Sequence, residues 1–189
     1  MILHLVRHGQ SVWNLERRLQ GQTMDIPLTD LGRQQAADAA ARLSATAATL
    51  VLSSDQLRAV ETASIIADAL ALPLRTSPVL REQSVGELEG RRYDELTPEP
   101  VPDGFDISEV RWGGGESVAD VHARLRGFIA ELALLPDEEI IVVSHGDTLR
   151  ILLAVLAGRG HRDVEWIEFG NGEVVTAALP AADTHSAPC

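Results

Sequence analysis

Cysteine is nearly absent from this chain, and so are long apolar runs. The single cysteine, Cys189, is the last of 189 residues, so an internal disulfide is impossible and a redox or thiolate metal site is not expected. The longest apolar run covers residues 151–157, far fewer than the roughly 20 residues that cross a bilayer. The N-terminus has neither a basic segment nor a small-residue cleavage site, so we expect a cytoplasmic protein.

Positive charge is also scarce. The chain has 16 Lys and Arg residues against 28 Asp and Glu residues, which gives a formal net charge of −12. Such a surface repels nucleic acids and anionic membranes, so we expect neither as a partner. A site for an anionic ligand would therefore have to be a local cluster of cations that works against the overall field.

The apolar segments predict an α/β fold. Short apolar runs at residues 1–6, 49–52 and 140–143 indicate buried strands, and segments with helical periodicity separate them. Strands that alternate with helices predict parallel βαβ units, and hence a three-layer α/β/α sandwich with a mainly parallel central sheet. We expect one domain over residues 1–179 and a flexible C-terminal tail over residues 180–189.

The sequence also predicts where two of the helices begin and which segment of the chain is irregular. Thr29 is predicted to cap a helix from Asp30 to Leu43, and Ser117 to cap another helix. The first of these helices would turn the following side chains toward the core: Leu31, Ala36, Ala39, Ala40 and Leu43. Residues 82–115 contain three prolines and a Gly-Gly-Gly segment and read as a long irregular connection, which inside a compact domain is usually functional.

Two of the predicted strands each end in a histidine followed by a glycine. Residues 7–9 read Arg-His-Gly after the first strand, and residues 144–146 read Ser-His-Gly after the strand at 140–143. Arg58 lies one turn into the helix that follows the second strand. The carboxyl ends of parallel strands meet at one edge of the sheet, where ligands bind, and a helix N-terminus favours an anion. The sequence therefore predicts a site for phosphate or another oxyanion.

A metal site is the competing use of the two histidines. Catalytic zinc usually takes three protein ligands. His4 precedes His8 by four residues, but the two share a face only if the strand continues through His8, which Gly9 disfavours. An adjacent arginine also repels a cation, so we expect no metal.

These motifs resemble those of the histidine phosphatase superfamily, the phosphoglycerate-mutase-like group. The matching segments follow the family order from residue 1 to about residue 175 and comprise residues 5–11 with Asn14, 20–21, 27–36, 53–63, 80–90, 115–117, and 143–146 with Arg150.

The resemblance implies a role for each of five residues. His8 would attack phosphorus and form a phosphohistidine, and Arg7, Arg58 and His145 would hold the non-bridging oxygens. Glu82 would protonate the leaving oxygen and then activate water. Positive side chains take the part of a metal in this scheme, so no cofactor is implied. Glu87 and Glu89 are alternatives to Glu82 as the proton donor, although a structural role is favoured for Glu89.

Further residues are expected to contact the substrate. Asn14 is implied as a neutral donor, and Trp112 could stack on a ring or a sugar or could anchor the long connection. Arg111 could bind a carboxylate or balance Glu109. The expected substrate-binding residues are Asn14, Gln20, Gly21, Arg111, Trp112 and Gly146, with Asp147 and Thr148 at the pocket mouth. The expected partner is a small phosphorylated metabolite, and a homodimer remains open.

The chain departs from the mutase branch at residues 82–86. Mutases typically have Glu-Arg-His-Tyr-Gly where this chain has Glu-Gln-Ser-Val-Gly, and they have a longer insertion afterwards. Both differences favour a phosphatase that hydrolyses phosphomonoesters, because water reaches a less covered phosphoenzyme. Two alternatives stay open: a cofactor-dependent phosphoglycerate mutase, and a catalytically silent binding module on the same fold. The presence of all five core residues disfavours the silent module.

Overall fold

The computed structural model describes residues 1–179, and the predicted tail at 180–189 lies outside the described residues. The strands within that range are β1 (Ile2–Arg7), β2 (Leu50–Ser53), β3 (Leu74–Thr76), β4 (Glu139–Ser144) and β5 (Val174–Ala178). The α-helices are α1 (Val12–Leu15), α2 (Asp30–Leu43), α3 (Leu57–Leu70), α4 (Val118–Leu132) and α5 (Gly146–Leu156). None of the helices described is long and apolar enough to cross a membrane.

The five strands form one sheet in the order β3-β2-β4-β1-β5. All neighbouring strands are parallel except β5, which runs antiparallel to β1. The register pairs Arg7 of β1 with Ser144 of β4 and Ser53 of β2 with Val143 of β4. The ends of β1, β2 and β4 therefore meet at one edge of the sheet.

Helices cover both faces of the sheet, which confirms the predicted three-layer sandwich. Val6 and Val143 point to the layer of α2 and α3, which packs through small residues such as Ala39 and Ala63. Leu5 and Val142 point to the layer of α4 and α5. Alternate residues of the central strands are thus buried on opposite sides, which explains why these strands read as continuous apolar runs.

The boundaries of α2 were predicted correctly, but one of the residues expected on its buried face is exposed. Thr29 caps the helix through its hydroxyl, which accepts a hydrogen bond from the Gly32 amide. Leu31 was expected in the core, yet it is 53% exposed. The first turn contacts the rest of the protein through Gly32, whose missing side chain lets the helix touch the backbone of Gln10. Leu31, one residue earlier, consequently points to solvent.

The connection from residue 77 to residue 117 is irregular, and it includes the whole segment 82–115 that was predicted to be so. It contains short 3₁₀ turns at Pro78–Leu80, Gly86–Leu88, Tyr93–Glu95, Ile107–Glu109 and Trp112–Gly114. This connection crosses the edge of the sheet at which β1, β2 and β4 end, since Glu82 and the residues that follow it border the same cavity as His8.

Candidate active site

The two predicted histidines lie side by side at the end of the parallel strands. The amide of His8 donates to the carbonyl of Ser144 over 3.0 Å. The ring centroids of His8 and His145 are 5.1 Å apart, with an interplanar angle of 61°. The pairing of β1 with β4 therefore brings together two residues that are 137 positions apart in the chain.

The ring of His8 has a defined tautomer. Its Nδ1 lies 2.7 Å from the carbonyl oxygen of Gly9. A carbonyl can only accept, so Nδ1 carries the proton and Nε2 keeps a free lone pair. Burial, together with the nearby positive charges of Arg58 and Arg7, holds the pKa of His8 well below its usual value of 6.5. The imidazole is therefore neutral at neutral pH.

Arg58 is a fully buried cation held by the loop before α2. Its guanidinium donates to the carbonyls of Gly21 and Thr23, each over 2.9 Å. Burial lowers the pKa of Arg58 to about 10 against the opposing charge of Glu82, so the side chain remains charged at neutral pH. Gly21 has φ +45°, and a Cβ there would lie 2.4 Å from the carboxylate of Glu89. A side chain here would be strained and would displace Glu89, which favours glycine.

Glu89 organises that loop rather than the cavity. Its carboxylate accepts hydrogen bonds from the amide of Gln22 and the hydroxyl of Thr23, both over 2.9 Å. It does not line the cavity around His8. These contacts agree with the structural role that the sequence favoured for Glu89.

Several buried nitrogens near His8 have no hydrogen-bond partner. Five buried side-chain polar atoms in residues 1–179 lack a partner, and four of them belong to Arg7, Arg58 and His145. They are Nε of each arginine and both ring nitrogens of His145, and the fifth is Nε of Arg159. Buried polar groups are normally paired. Unpaired donors on two cations and a histidine indicate a place for an anion.

The ring of His145 is completely buried at the N-terminus of α5. Burial and the charges of Arg58 and neighbouring groups lower its pKa well below 6.5. Gly146 lines the cavity, but a Cβ at this position would lie 3.6 Å from Nε of Arg7. That is an ordinary contact, so glycine is not required there for space.

Glu82 is fixed against the first turn of α5. Its Oε1 accepts from the amide of Gln83 at 3.0 Å and from the amide of Thr148 at 3.1 Å. The hydroxyl of Thr148 is also 3.1 Å from Oε1, but it donates its one proton to the carbonyl of Arg81 over 2.8 Å. Its Oε2 has one longer contact, 3.4 Å, with the amide of Asp147. Arg124 holds the segment in place, since its guanidinium donates to the carbonyls of Arg81 and Glu82. Oε2 is therefore the less engaged oxygen.

These groups surround a small cavity of about 180 Å³. Of the predicted residues, the following line it: Arg7, His8, Asn14, Gln20, Gly21, Arg58, Glu82, Gly146 and Asp147. His145 is not among the lining residues, although its ring packs edge-on against that of His8. The oxygen of the Asn14 side chain accepts from Ser11, and so does that of Gln20, which leaves both amide groups available as donors.

Besides His145, three predicted residues do not line this cavity: Thr148, Arg111 and Trp112. Arg111 is exposed and forms an ion pair with Asp120, with nitrogen–oxygen distances of 2.7 and 2.8 Å. Trp112 lines a separate cleft of about 720 Å³ next to the cavity. The positions of Arg111 and Trp112 depend on how the backbone of the long connection folds. The sequence pattern does not predict that fold.

Sequence reasoning assigned no role in the cavity to Tyr93 and Arg150, which both line it. Arg150 was noted only as part of a motif, although its position one turn after Asp147 placed it on the same side of α5. The guanidinium of Arg150 donates to Asp147 and lies 5.7 Å from the ring centre of Trp166. No local pattern pointed to Tyr93, which reaches the cavity through the fold of the long connection.

Fold and site together define an α/β protein with a cavity lined by buried arginine and histidine side chains at the carboxyl edge of its sheet. The sequence profile of the histidine phosphatase superfamily (branch 1) matches residues 3–183. The chain therefore belongs to the histidine phosphatase superfamily, as the motifs indicated.

Comparison with individual proteins gives both mutase and phosphatase names. A protein of Yersinia enterocolitica named "Probable phosphoglycerate mutase GpmB" is 41% identical over 159 residues, which are 82% of this chain and 74% of that protein. The structure of a mycobacterial glucosyl-3-phosphoglycerate phosphatase in complex with VO3 has a TM-score of 0.78 and 31% identity, covering 93% of this chain and 90% of that one. Bacillus stearothermophilus YhfR has a TM-score of 0.76 and 28% identity, covering 93% and 89%.

Proposed function

We propose that this chain is a metal-independent phosphatase that hydrolyses small-molecule phosphomonoesters through a phosphohistidine on His8. One observation carries the proposal: a neutral, buried His8 with a free Nε2 lies among unpaired donors of Arg7, Arg58 and His145. A phosphoryl group offers an electrophilic phosphorus and three oxygens to this arrangement. Complexes of the mycobacterial phosphatase with VO3 and with inorganic phosphate support it.

In the first half of the reaction, Nε2 of His8 attacks phosphorus and the bond from phosphorus to the alcohol oxygen breaks. Arg7 and Arg58 stabilise the negative charge on the non-bridging oxygens. Oε2 of Glu82 carries the proton that passes to the leaving oxygen, because Oε1 already accepts hydrogen bonds from two backbone amides. The alcohol leaves, and His8 holds the phosphoryl group.

In the second half, the ionised Glu82 removes a proton from water while the water oxygen attacks phosphorus. The bond between phosphorus and Nε2 breaks, inorganic phosphate leaves, and both side chains return to their first state. Throughout the cycle the two arginines supply the positive charge that a metal ion supplies in other phosphatases. This is the physical basis for proposing independence from metal.

Phosphate release with excess EDTA tests the proposal directly. We expect the wild-type protein to hydrolyse a panel of phosphomonoesters in EDTA, and His8→Ala to lose all but about 1% of that activity or less, since it loses the nucleophile. His161→Ala is the matched control, because His161 lies in the turn at His161–Asp163 and bonds to Ser108. Loss of activity in EDTA, or substantial activity in His8→Ala, would overturn the proposal.

The mutase-named relatives favour a second candidate, a phosphoglycerate mutase. In that case the phosphoryl group on His8 would pass to a hydroxyl of a bound phosphoglycerate instead of water. Incubation with 3-phosphoglycerate and a bisphosphoglycerate primer separates the two. A phosphatase releases inorganic phosphate with no need of the primer, whereas a mutase accumulates 2-phosphoglycerate faster than phosphate and depends on the primer.

A further inference from the structure

We infer that the cleft beside the His8 cavity binds the alcohol part of the substrate, and that this alcohol carries an uncharged apolar ring. The inference rests on the proposed function and adds the substrate class to it. Leu19, Val85 and Tyr93 line both the cavity and the cleft. A molecule whose phosphoryl group lies beside His8 would extend past these three side chains into the cleft.

The volumes of the cavity and of the cleft indicate which part of the substrate each of them would hold. The cavity measures about 180 Å³, which is below the range of about 300–1,000 Å³ that is usual for small-molecule sites. It therefore has space for a phosphoryl group and a few more atoms. The cleft measures about 720 Å³, which is ample for a ring with its substituents.

The cleft walls have the chemistry of a ring site. Leu88, Leu96 and Trp112 join the three shared side chains to form a largely apolar surface. Trp112 is half-buried, so part of its indole is open to a ligand. Aromatic side chains of this kind bind rings and the apolar faces of sugars by stacking.

The wall that carries Trp112 is built on close backbone contacts. A Cβ on Gly86 would lie 2.0 Å from the carbonyl oxygen of Gly113, and one on Gly115 would lie 2.2 Å from that of Ser84. The amide of Glu116 also donates to the carbonyl of Ser84 over 2.9 Å. Two 3₁₀ turns are thus packed backbone to backbone, which places Trp112 beside Leu88 before any ligand arrives.

The charges around the cleft favour an uncharged group. Arg91, Glu95 and Glu99 are its only charged lining residues in the described chain, and they sum to one negative charge at neutral pH. A carboxylate on the alcohol would find more repulsion than attraction there. A ring without a formal charge has no such cost and gains from burial of its apolar surface.

Two substrates with the same leaving-group chemistry test this inference. Ethyl phosphate and 2-phenylethyl phosphate both release a primary alcohol, but only the second has a ring that reaches the cleft. We expect kcat/KM to be about tenfold higher for 2-phenylethyl phosphate, as partial burial of one phenyl ring would give.

Variants of the cleft should remove this preference. Trp112→Ala deletes a stacking surface, and Thr97→Trp fills the cleft from an exposed lining position without removing any packing. Both should bring the ratio of the two kcat/KM values close to one. Phe105→Ala is the matched control, since Phe105 is an aromatic residue of the same connection that is 57% exposed and lines neither space.

The outcomes separate this inference from the proposed function. Failure to hydrolyse either ester would remove the phosphatase proposal itself. Hydrolysis of both at equal kcat/KM, or a preference that persists in Thr97→Trp, would overturn the ring site and leave the phosphatase standing. If Trp112→Ala does not fold, the ratio measured for Thr97→Trp alone decides.

Discussion

Two opposing effects act on the pKa of Asp147, which lines the cavity. Arg150, three residues further along α5, forms an ion pair with its carboxylate. Burial and the negative charge of Glu82 outweigh this arginine and raise the pKa of Asp147 to about 6, from an ordinary value of 3.8. An acid whose pKa is higher in the folded chain than in the unfolded chain makes its ionised form a cost to stability. That cost develops as the pH rises through this interval.

Asp147→Asn should therefore stabilise the protein in a pH-dependent way. At pH 8 we expect a higher Tm than wild type, because the variant has no negative charge at this position beside Glu82. The difference should shrink as the pH falls from about 6 to about 4, where Asp147 of the wild type gains its proton. Thermal unfolding at several pH values measures this. A lower Tm for the variant at pH 8 would mean that the ion pair with Arg150 dominates.

Secondary-structure elements explain which parts of the site could be predicted. His8 and His145 directly follow strands that are evident from their apolar runs, so adjacency in sequence fixes their place at the sheet edge. Arg58 was predictable for the same reason, one turn after β2. Tyr93 and Trp112 lie in a connection without a periodic pattern, and long-range backbone contacts between its turns fix their positions. Such contacts leave no local signal in a single sequence.

Two helical glycines provide a matched test of element packing. A Cβ on Gly32 of α2 would lie 2.1 Å from the carbonyl oxygen of Gln10, whereas a Cβ on Gly127 of α4 would meet nothing within 4 Å. Gly32→Ala should lower the free energy of unfolding by about 1–3 kcal/mol, because backbone must move. Gly127→Ala should raise it by about 0.5–1 kcal/mol through helix propensity. Urea denaturation measures both, and destabilisation by Gly127→Ala would contradict this account.

At the scale of the whole molecule, the net negative charge of the protein is opposite in sign to the charge of the arginines in the cavity. The net charge is −12, and all 16 cationic side chains are arginine, which holds its proton far above neutral pH. The anionic surface therefore repels a phosphomonoester until it reaches Arg7 and Arg58. A cytoplasmic location, a single domain and a homodimer stay predictions.

The dependence of kcat/KM on salt measures this opposition. Raising NaCl from about 10 to about 150 mM shortens the Debye length from about 30 to about 8 Å. For ethyl phosphate we expect kcat/KM to change by less than about twofold, because repulsion by the surface offsets attraction by the cavity. A fall of about tenfold would show that the cavity attracts substrate over long distances after all.

The hydrogen bond from His8 to the carbonyl of Gly9 also determines which nitrogen of the imidazole is free to react. Imidazole can carry a phosphoryl group on either nitrogen, and the two phosphoramidates are distinct compounds. With Nδ1 committed to a backbone carbonyl 2.7 Å away, only Nε2 is open to phosphorus. In the proposed reaction the main chain, and not a side chain that substitution could replace, would thereby set which nitrogen of His8 is phosphorylated.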